Sequence, residues 1–382
     1  MVSAGVCHTV LLRSDGGAIA KGNIEDGQCD IHPLDDGLAY TKVAAGRGHT
    51  VLLCSDGSAV AIGENGFGQC NIPALDQGMA YTKVSAGDRN TVLLRSDGCV
   101  VAIGDNEEGQ CNIPALNEGL AYTQICAGLR HTALLRSDGC AVVAGDSTMR
   151  YCQIPALDEG MAYTQISGGY EHTVLLRSDG CAVAVGENCD GQCNIPPLDE
   201  GMAYAQVSAG GLHTVLLLSD GSAVAIGDNF LGQCDIPPLN EGIVYTQISA
   251  GLYHTVLLRS DGCAVAIGDN EDGQCDIPTP EPGISYIRDM TCGGALALQL
   301  EFVRKDDAVT LICSTLSGEE RLRLTAQAVD SAWETHKRIA RELKMHLPNL
   351  QLVLPDGQLL AQICHANPGA SVAEVAQRTH HP

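Results

Sequence analysis

Residues 250–278 read AGLYHTVLLRSDGCAVAIGDNEDGQCDIP, and this pattern recurs along the first three quarters of the chain. Its histidine falls at His8, His49, His131, His172, His213 and His254, with Asn90 in the remaining place, and every step is 41 residues. A Ser-Asp-Gly triplet keeps the same beat at 14–16, 55–57, 96–98, 137–139, 178–180, 219–221 and 260–262. A fixed period of this length signals a repeat architecture, in which each unit buries its apolar surface against its neighbours.

Within the unit, His254-Thr-Val-Leu-Leu-Arg and Ala264-Val-Ala-Ile-Gly are apolar runs flanking Asp261-Gly262. That is a hairpin signal, because glycine tolerates the positive φ a tight turn needs. Asn270-x-x-Gly-Gln turns the chain again, and Cys-Asp-Ile-Pro reads as a short outer strand or a loop, since proline cannot donate to a ladder. Tyr245-Thr-Gln-Ile-Ser is a further strand. Three or four short strands per unit, with no helix-period segment, predict small antiparallel sheets arranged radially as a seven-bladed β-propeller. The strand pair that opens at Val2 recurs in Ser285–Met290 and Ala295–Leu300, so which strands close the ring stays open.

Composition bounds the function. Residues 1–300 hold 13 Lys and Arg against 36 Asp and Glu, so the repeats repel phosphate backbones and anionic lipid, and neither nucleic acid nor membrane is an expected partner. No apolar run reaches eighteen residues and no leader precedes the first repeat, which reads as a cytosolic or nuclear protein or a piece of a longer one. Seven of the eighteen cysteines occupy one repeat position, Cys29 to Cys275. Equivalent positions on packed sheets lie about 10 Å apart, beyond the roughly 7 Å Cα limit of a disulfide, so they read as small buried hydrophobes. The recurring histidine reads as a hydrogen-bonding link to a neighbouring blade. Neither a metal-binding ring, for which Asn90 is a poor ligand, nor a nucleophile-and-base arrangement stands out, and no cofactor or catalytic activity is expected.

The run Ala-Gly-x-x-His-Thr, the Asp-Gly hairpin and Gly-x-Asn-x-x-Gly-Gln together resemble the repeat of the RCC1 (regulator of chromosome condensation) family, over residues 1–300. WD40, the rival at this period, expects Trp-Asp dipeptides, and none is present. The resemblance implies a seven-bladed protein-binding propeller, of the kind found in HERC-type ubiquitin ligases. A guanine-nucleotide exchange factor for a small GTPase is the alternative it implies. Exchange generally needs a projecting wedge, for which a strict 41-residue beat leaves no room. The fourth unit departs from the pattern, reading Ser147-Thr-Met-Arg-Tyr-Cys.

Function is expected where the repeat varies. The pair after Ala-Gly places Arg47, Arg89, Arg130, Tyr170, Glu171, Leu212 and Tyr253 on one rim, and Arg and Tyr are residue types that dominate binding hot spots. Phe67, Met149, Phe230 and Leu231, in the Asn-x-x-Gly loops, form a second, separate apolar patch. After Leu300 the period stops. Strands at Val309–Cys313 and Arg321–Leu324, a helix from Asp330 to about His346 and a strand from Leu350 resemble a ubiquitin-like β-grasp domain over 301–361. By that resemblance Leu316 and Val353 match two residues of ubiquitin's apolar patch; the last strand of that fold is not evident in 362–382, which is expected to be a disordered tail. The whole reads as a non-enzymatic interaction scaffold serving partner or substrate recognition in a ubiquitin-linked system.

Overall fold

The computed structural model describes residues 1–287 except 36 and 147, and beyond them Thr335 and the strands at 296–305, 308–314, 320–327 and 350–353. Two compact units emerge, Met1–Asp289 and Met290–Pro382. In the first, each repeat is one three-stranded antiparallel sheet. Blade 1 has inner, middle and outer strands Val2–Ala4, His8–Leu12 and Ala18–Gly22; blade 2 has Tyr40–Ala45, His49–Cys54 and Ala59–Gly63. Five more follow at the same spacing, with middle strands starting at Asn90, His131, His172, His213 and His254. Of the three or four strands expected per unit, three form, and the Cys-x-Ile-Pro stretch is a connector.

The Asp-Gly hairpin closes through a three-residue loop rather than a two-residue one. In blade 2, Cys54 N–H donates to Ser58 at 2.8 Å and Gly57 N–H to Cys54 at 3.0 Å, with Gly57 at φ +83°. This is a type I turn ended by a left-handed residue, which glycine adopts without strain. Asp56 Oδ1 accepts the N–H of Ser58 and holds the turn.

Middle strands are apolar on both faces because both faces are seams. Leu52 packs toward blade 1 with Val10 and Leu12, whereas Val51 and Leu53 pack toward blade 3 with Tyr81, Val84 and Leu93. All these residues are buried. A core of Val, Leu and Ala lets thin blades approach closely, at about 1.5–3 kcal/mol per fully buried large aliphatic side chain. Each connector is tied down by the next tyrosine, as when Tyr81 donates its hydroxyl hydrogen to the carbonyl of Pro73 at 2.9 Å.

Polar bonds cross every seam in the same direction. His8 Nε2 meets Thr50 Oγ1 at 2.9 Å, His49 meets Thr91, and so on round to His254 and Thr9. Thr50 spends its own hydroxyl hydrogen on the carbonyl of Gln28 at 2.7 Å, so the histidine must be the donor, with its proton on Nε2. At the Asn90 position the reach is longer, 3.3 Å from Nδ2 to Thr132. A parallel set links inner strands: Ser3 Oγ accepts Ala45 N–H, Ser85 accepts Ala127, Cys126 Sγ accepts Gly168, and Ser167, Ser208 and Ser249 continue it. Ala44 breaks the set, offering nothing to Ala86 N–H. These bonds satisfy inner-strand backbone that has no further strand to pair with.

The ring closes with both chain segments in one sheet. Blade 1 takes its three strands from residues 2–22, but Tyr286 bridges to Arg13 in the place Tyr40 occupies opposite Cys54 in blade 2. Ser14 N–H donates to Ser285 and Ile287 N–H to Leu12. Of the segments left open as closing the ring, residues 296–300 belong to the strand Leu296–Lys305 of the second unit, which begins before residue 300. That unit holds a sheet ordered 320–327, 308–314, 296–305, 350–353; the first three pair antiparallel and the last is parallel to 296–305. The strand at 296–305 therefore lies between 308–314 and 350–353, two of the three strands expected in the ubiquitin-like domain. The expected helix (330–346, except Thr335) and the tail at 362–382 lie outside the described residues.

The cysteines are not merely hydrophobes. Cys29, Cys70, Cys111, Cys193, Cys234 and Cys275 donate Sγ–H to the carbonyl six residues back, at 3.1–3.2 Å, clamping the Asn-x-x-Gly-Gln loop. Burial pushes these thiols up to about 11, and Cys275 to about 12. None of the described cysteines is in a disulfide.

Two predictions follow from the seams. Burial lowers all six histidines, to about 3 or about 4, so they stay neutral in the fold. The unfolded chain binds these protons near its ordinary pKa of about 6.5. Stability is therefore complete above that value and falls as pH drops toward the folded pKa, at up to about 8 kcal/mol per pH unit when all six contribute. Denaturant midpoints taken from pH 7 to 4.5 should show uptake approaching six protons on unfolding, and His49→Asn should remove one. Separately, Ala44→Ser restores the missing acceptor and should raise stability by about 1 kcal/mol.

Candidate functional site

The loop between inner and middle strands is Ala-Gly plus the variable pair, and its backbone is fixed by a third ring. Val6 N–H donates to Gly46 O at 3.1 Å, Arg47 to Gly87, Asp88 to Gly128, Leu129 to Gly169, Tyr170 to Gly210, Gly211 to Gly251, and Leu252 to Gly5. The glycine is a steric requirement. A Cβ on Gly128 would lie 2.7 Å from Gly169 O and 2.5 Å from His131 Cε1. With the backbone committed to the ring, the variable side chains are left for the surface.

The first variable residue of each blade lines a depression around the axis, and the second lies farther out. Both the Ala-Gly loop and the Asn-x-x-Gly loop end on one face of the ring, because inner and outer strands run the same way. Gly48 shows the adjacency: a Cβ there would meet Asp26 Oδ2 at 2.9 Å and Glu64 Oε2 at 3.0 Å. The two variable sets thus share one surface, and the separate apolar patch expected from the sequence does not exist as such. Arg89 joins them, its guanidinium 4.7 Å above the ring of Phe67.

Blades 2 to 4 and blades 5 to 7 differ in character on this face. Asp88 lies 3.5 Å from the guanidiniums of both Arg47 and Arg89. Burial raises the Asp88 carboxyl above its usual value, against the lowering pull of the two arginines. Arg130 is exposed on blade 4, and Arg150 follows in the irregular loop. There, residues 150–152 form a 3-10 turn and Tyr151 stacks on His131 at 4.7 Å, taking the place of the glutamine found in the other units. Across the ring lie Tyr170 and Tyr253, both exposed, half-buried Leu212 and Glu171, and Phe230, which is 90% exposed. All seven rim residues are therefore on one face, but not in one cluster. Sequence reasoning missed Asp88, whose signal was its being the only acid at the first variable position.

The arrangement suits binding of a macromolecule. The axial depression offers about 90 Å³, against roughly 300–1,000 Å³ for small-molecule sites. The recurring histidines are fully buried and held neutral, so they have no access to a substrate proton. Among the described residues no group of three or more His, Cys, Asp or Glu is placed to hold a metal. Leu316 lies outside the described residues, and Val353 ends the strand Leu350–Val353.

Comparison with known proteins agrees with this geometry. The model of the regulator of chromosome condensation (RCC1) repeat matches residues 40–69, 81–110, 163–192, 204–233 and 245–274. No curated protein matches the sequence. Among solved structures, Prp20p of Saccharomyces cerevisiae, characterised for binding to Gsp1p and histones, is 17% identical with a TM-score of 0.58, covering 66% of this chain and 80% of its own. The ectodomain of the Arabidopsis thaliana receptor kinase ACR4 is 20% identical with a TM-score of 0.57, covering 73% and 98%. Human WBSCR16 is 16% identical with a TM-score of 0.58, covering 67% and 86%. At such identities the likeness establishes the fold.

Because ring integrity rests on backbone and glycine, side chains of the face should be dispensable for folding. Arg130→Ala, Tyr170→Ala and Tyr253→Ala should each shift stability by no more than about 0.5 kcal/mol. Gly128→Ala should cost about 1–3 kcal/mol or more, through overpacking against the ring. Chemical denaturation of the four variants checks the contrast.

Proposed function

We propose that the propeller, five of whose units match the RCC1 repeat, is a non-enzymatic protein-binding platform that docks its partner on the variable loop face. The observation that carries this reading is that the residues departing from the 41-residue pattern gather on one face, over a backbone the ring holds rigid. A rigid scaffold presenting variable side chains binds with little ordering cost. The opposite face carries repeated Ser-Asp-Gly turns, in which Arg95, Arg136 and Arg177 pair with their own Asp97, Asp138 and Asp179. That regularity leaves less to distinguish one partner from another.

Arg47, Arg89, Arg130, Tyr170, Glu171, Leu212 and Tyr253 are the residues we assign to the contact. In this reading the protein works in the cytosol or nucleus, on other proteins rather than nucleic acid or membrane. Its finer role is partner or substrate recognition in a ubiquitin-linked, HERC-like system; that part rests on the resemblance of residues 301–361, with Leu316 and Val353, to a ubiquitin-like domain.

Affinity capture from cells tests the platform. Changing Arg47, Arg89, Arg130 and Tyr170 together to alanine should deplete the captured set, whereas changing Arg95 and Arg177 on the opposite face should leave it intact. An unchanged set with the first variant would overturn the assignment. A captured small GTPase whose nucleotide release the protein accelerates would replace the scaffold reading with exchange activity.

A further inference from the structure

We propose that the arc of this face formed by blades 2 to 4 recognises an acidic protein segment carrying an apolar anchor residue. This deepens the platform reading and rests on it. The argument begins with an account of positive charge. Arg13, Arg95, Arg136, Arg177 and Arg259 each pair with the aspartate of their own hairpin turn, on the far face. Lys42 and Lys83 lie on inner strands and have partners, and Lys21 is exposed on the outer strand of blade 1.

Among the described residues four arginines remain, and all are on the loop face of three consecutive blades. Arg47 and Arg89, with side chains 51% and 39% exposed, share the single carboxylate of Asp88, itself only 12% exposed. One buried acid cannot neutralise two guanidiniums, and at 3.5 Å neither contact is a close, saturated pair. Arg130 and Arg150 are exposed, with no ion-pair partner among the described residues. Two exposed apolar side chains lie in outer loops of the same arc, Phe67 at 41% after blade 2 and Met149 at 40% after blade 4. Phe67 already lies under Arg89, which holds that planar guanidinium pre-oriented for a carboxylate.

The remaining charge selects the class of anion. The repeat region is strongly negative overall, and Glu64, Asp105, Glu107 and Glu108 sit on the outer loops of the same arc. A polymer with a charge at every residue or phosphate must pass over those acids. A short peptide can place two or three carboxylates on the arginines and seat one apolar side chain against Phe67 or Met149. Arginine with apolar neighbours is the composition of a protein-binding hot spot. At long range the field opposes a polyanion; at contact the arc favours isolated carboxylates.

The test is selection of a random dodecapeptide library on the intact protein, followed by anisotropy titration of the enriched peptides. Selected sequences should carry net negative charge and at least one Leu, Ile, Met or Phe. Their Kd should rise at least tenfold in Arg130→Glu/Arg150→Glu, a variant that breaks no ion pair among the described residues, and again in Arg47→Glu/Arg89→Glu. Raising salt from 50 to 300 mM should weaken binding, and Arg95→Glu/Arg177→Glu should have no effect. Neutral or basic selected peptides, no enrichment at all, or equal binding to the Arg130→Glu/Arg150→Glu variant would overturn the proposal. A single-stranded dodecanucleotide that binds the arc as tightly would reassign it to phosphate. If partners captured from cells still require the loop face but are not competed by the acidic peptides, this inference alone fails. If they do not require that face, the platform reading fails with it.

Discussion

A three-stranded blade leaves its inner strand with unpaired backbone groups pointing at the axis, and the whole ring is a solution to that problem. Each blade answers for its neighbour. The glycine carbonyl accepts the N–H of the preceding blade's loop, the serine hydroxyl accepts an inner-strand N–H of the following one, and the histidine reaches across to the next threonine. All three sets run around the axis, and the glycine set closes on itself without a break. Buried polar groups are stabilising only when their partners are in place. No blade can satisfy itself, so the unit of stability is the closed ring rather than the blade.

This dependence explains why the repeat tolerates so little change in some places and so much in others. Gly46, Gly87 and their equivalents stay glycine because a Cβ would collide with the neighbour's carbonyl. His49 and Thr50 are wholly enclosed, and each is bound to something outside its own blade. The two residues after the glycine answer only through their backbone, so their side chains are released. Blade 4 shows the limit of that tolerance. It carries Ala133 where the other middle strands have valine, and its loop substitutes Tyr151, which fills the space beside His131 and still offers its carbonyl to Thr173.

Closure also sets where function can sit. Tyr286 completes blade 1 beside Arg13, so the ring holds both ends of the repeat region in one sheet. With the ring closed, the loop face is a continuous surface around a depression of about 90 Å³. Its arginines and aromatics are separated around the circle, which favours a partner that spans part of the rim over one that enters the axis.

The sequence alone established the seven units, their all-β character and the bond from histidine to the next blade, because a strict 41-residue beat demands one local structure repeated and one neighbour relation repeated. It also singled out Arg47, Arg89, Arg130, Tyr170 and Tyr253, since a position free to vary within an otherwise fixed pattern is visible without coordinates. Only the tertiary structure decided that the two variable loop sets share one face, that Phe67 lies under Arg89, and that Leu296–Lys305 leaves the propeller for another sheet. Those facts depend on which strand ends meet in space, on contacts between residues of different blades, and on competition between two sheets for one segment. A period in the sequence fixes what each unit is; it does not record which surfaces of neighbouring units come together.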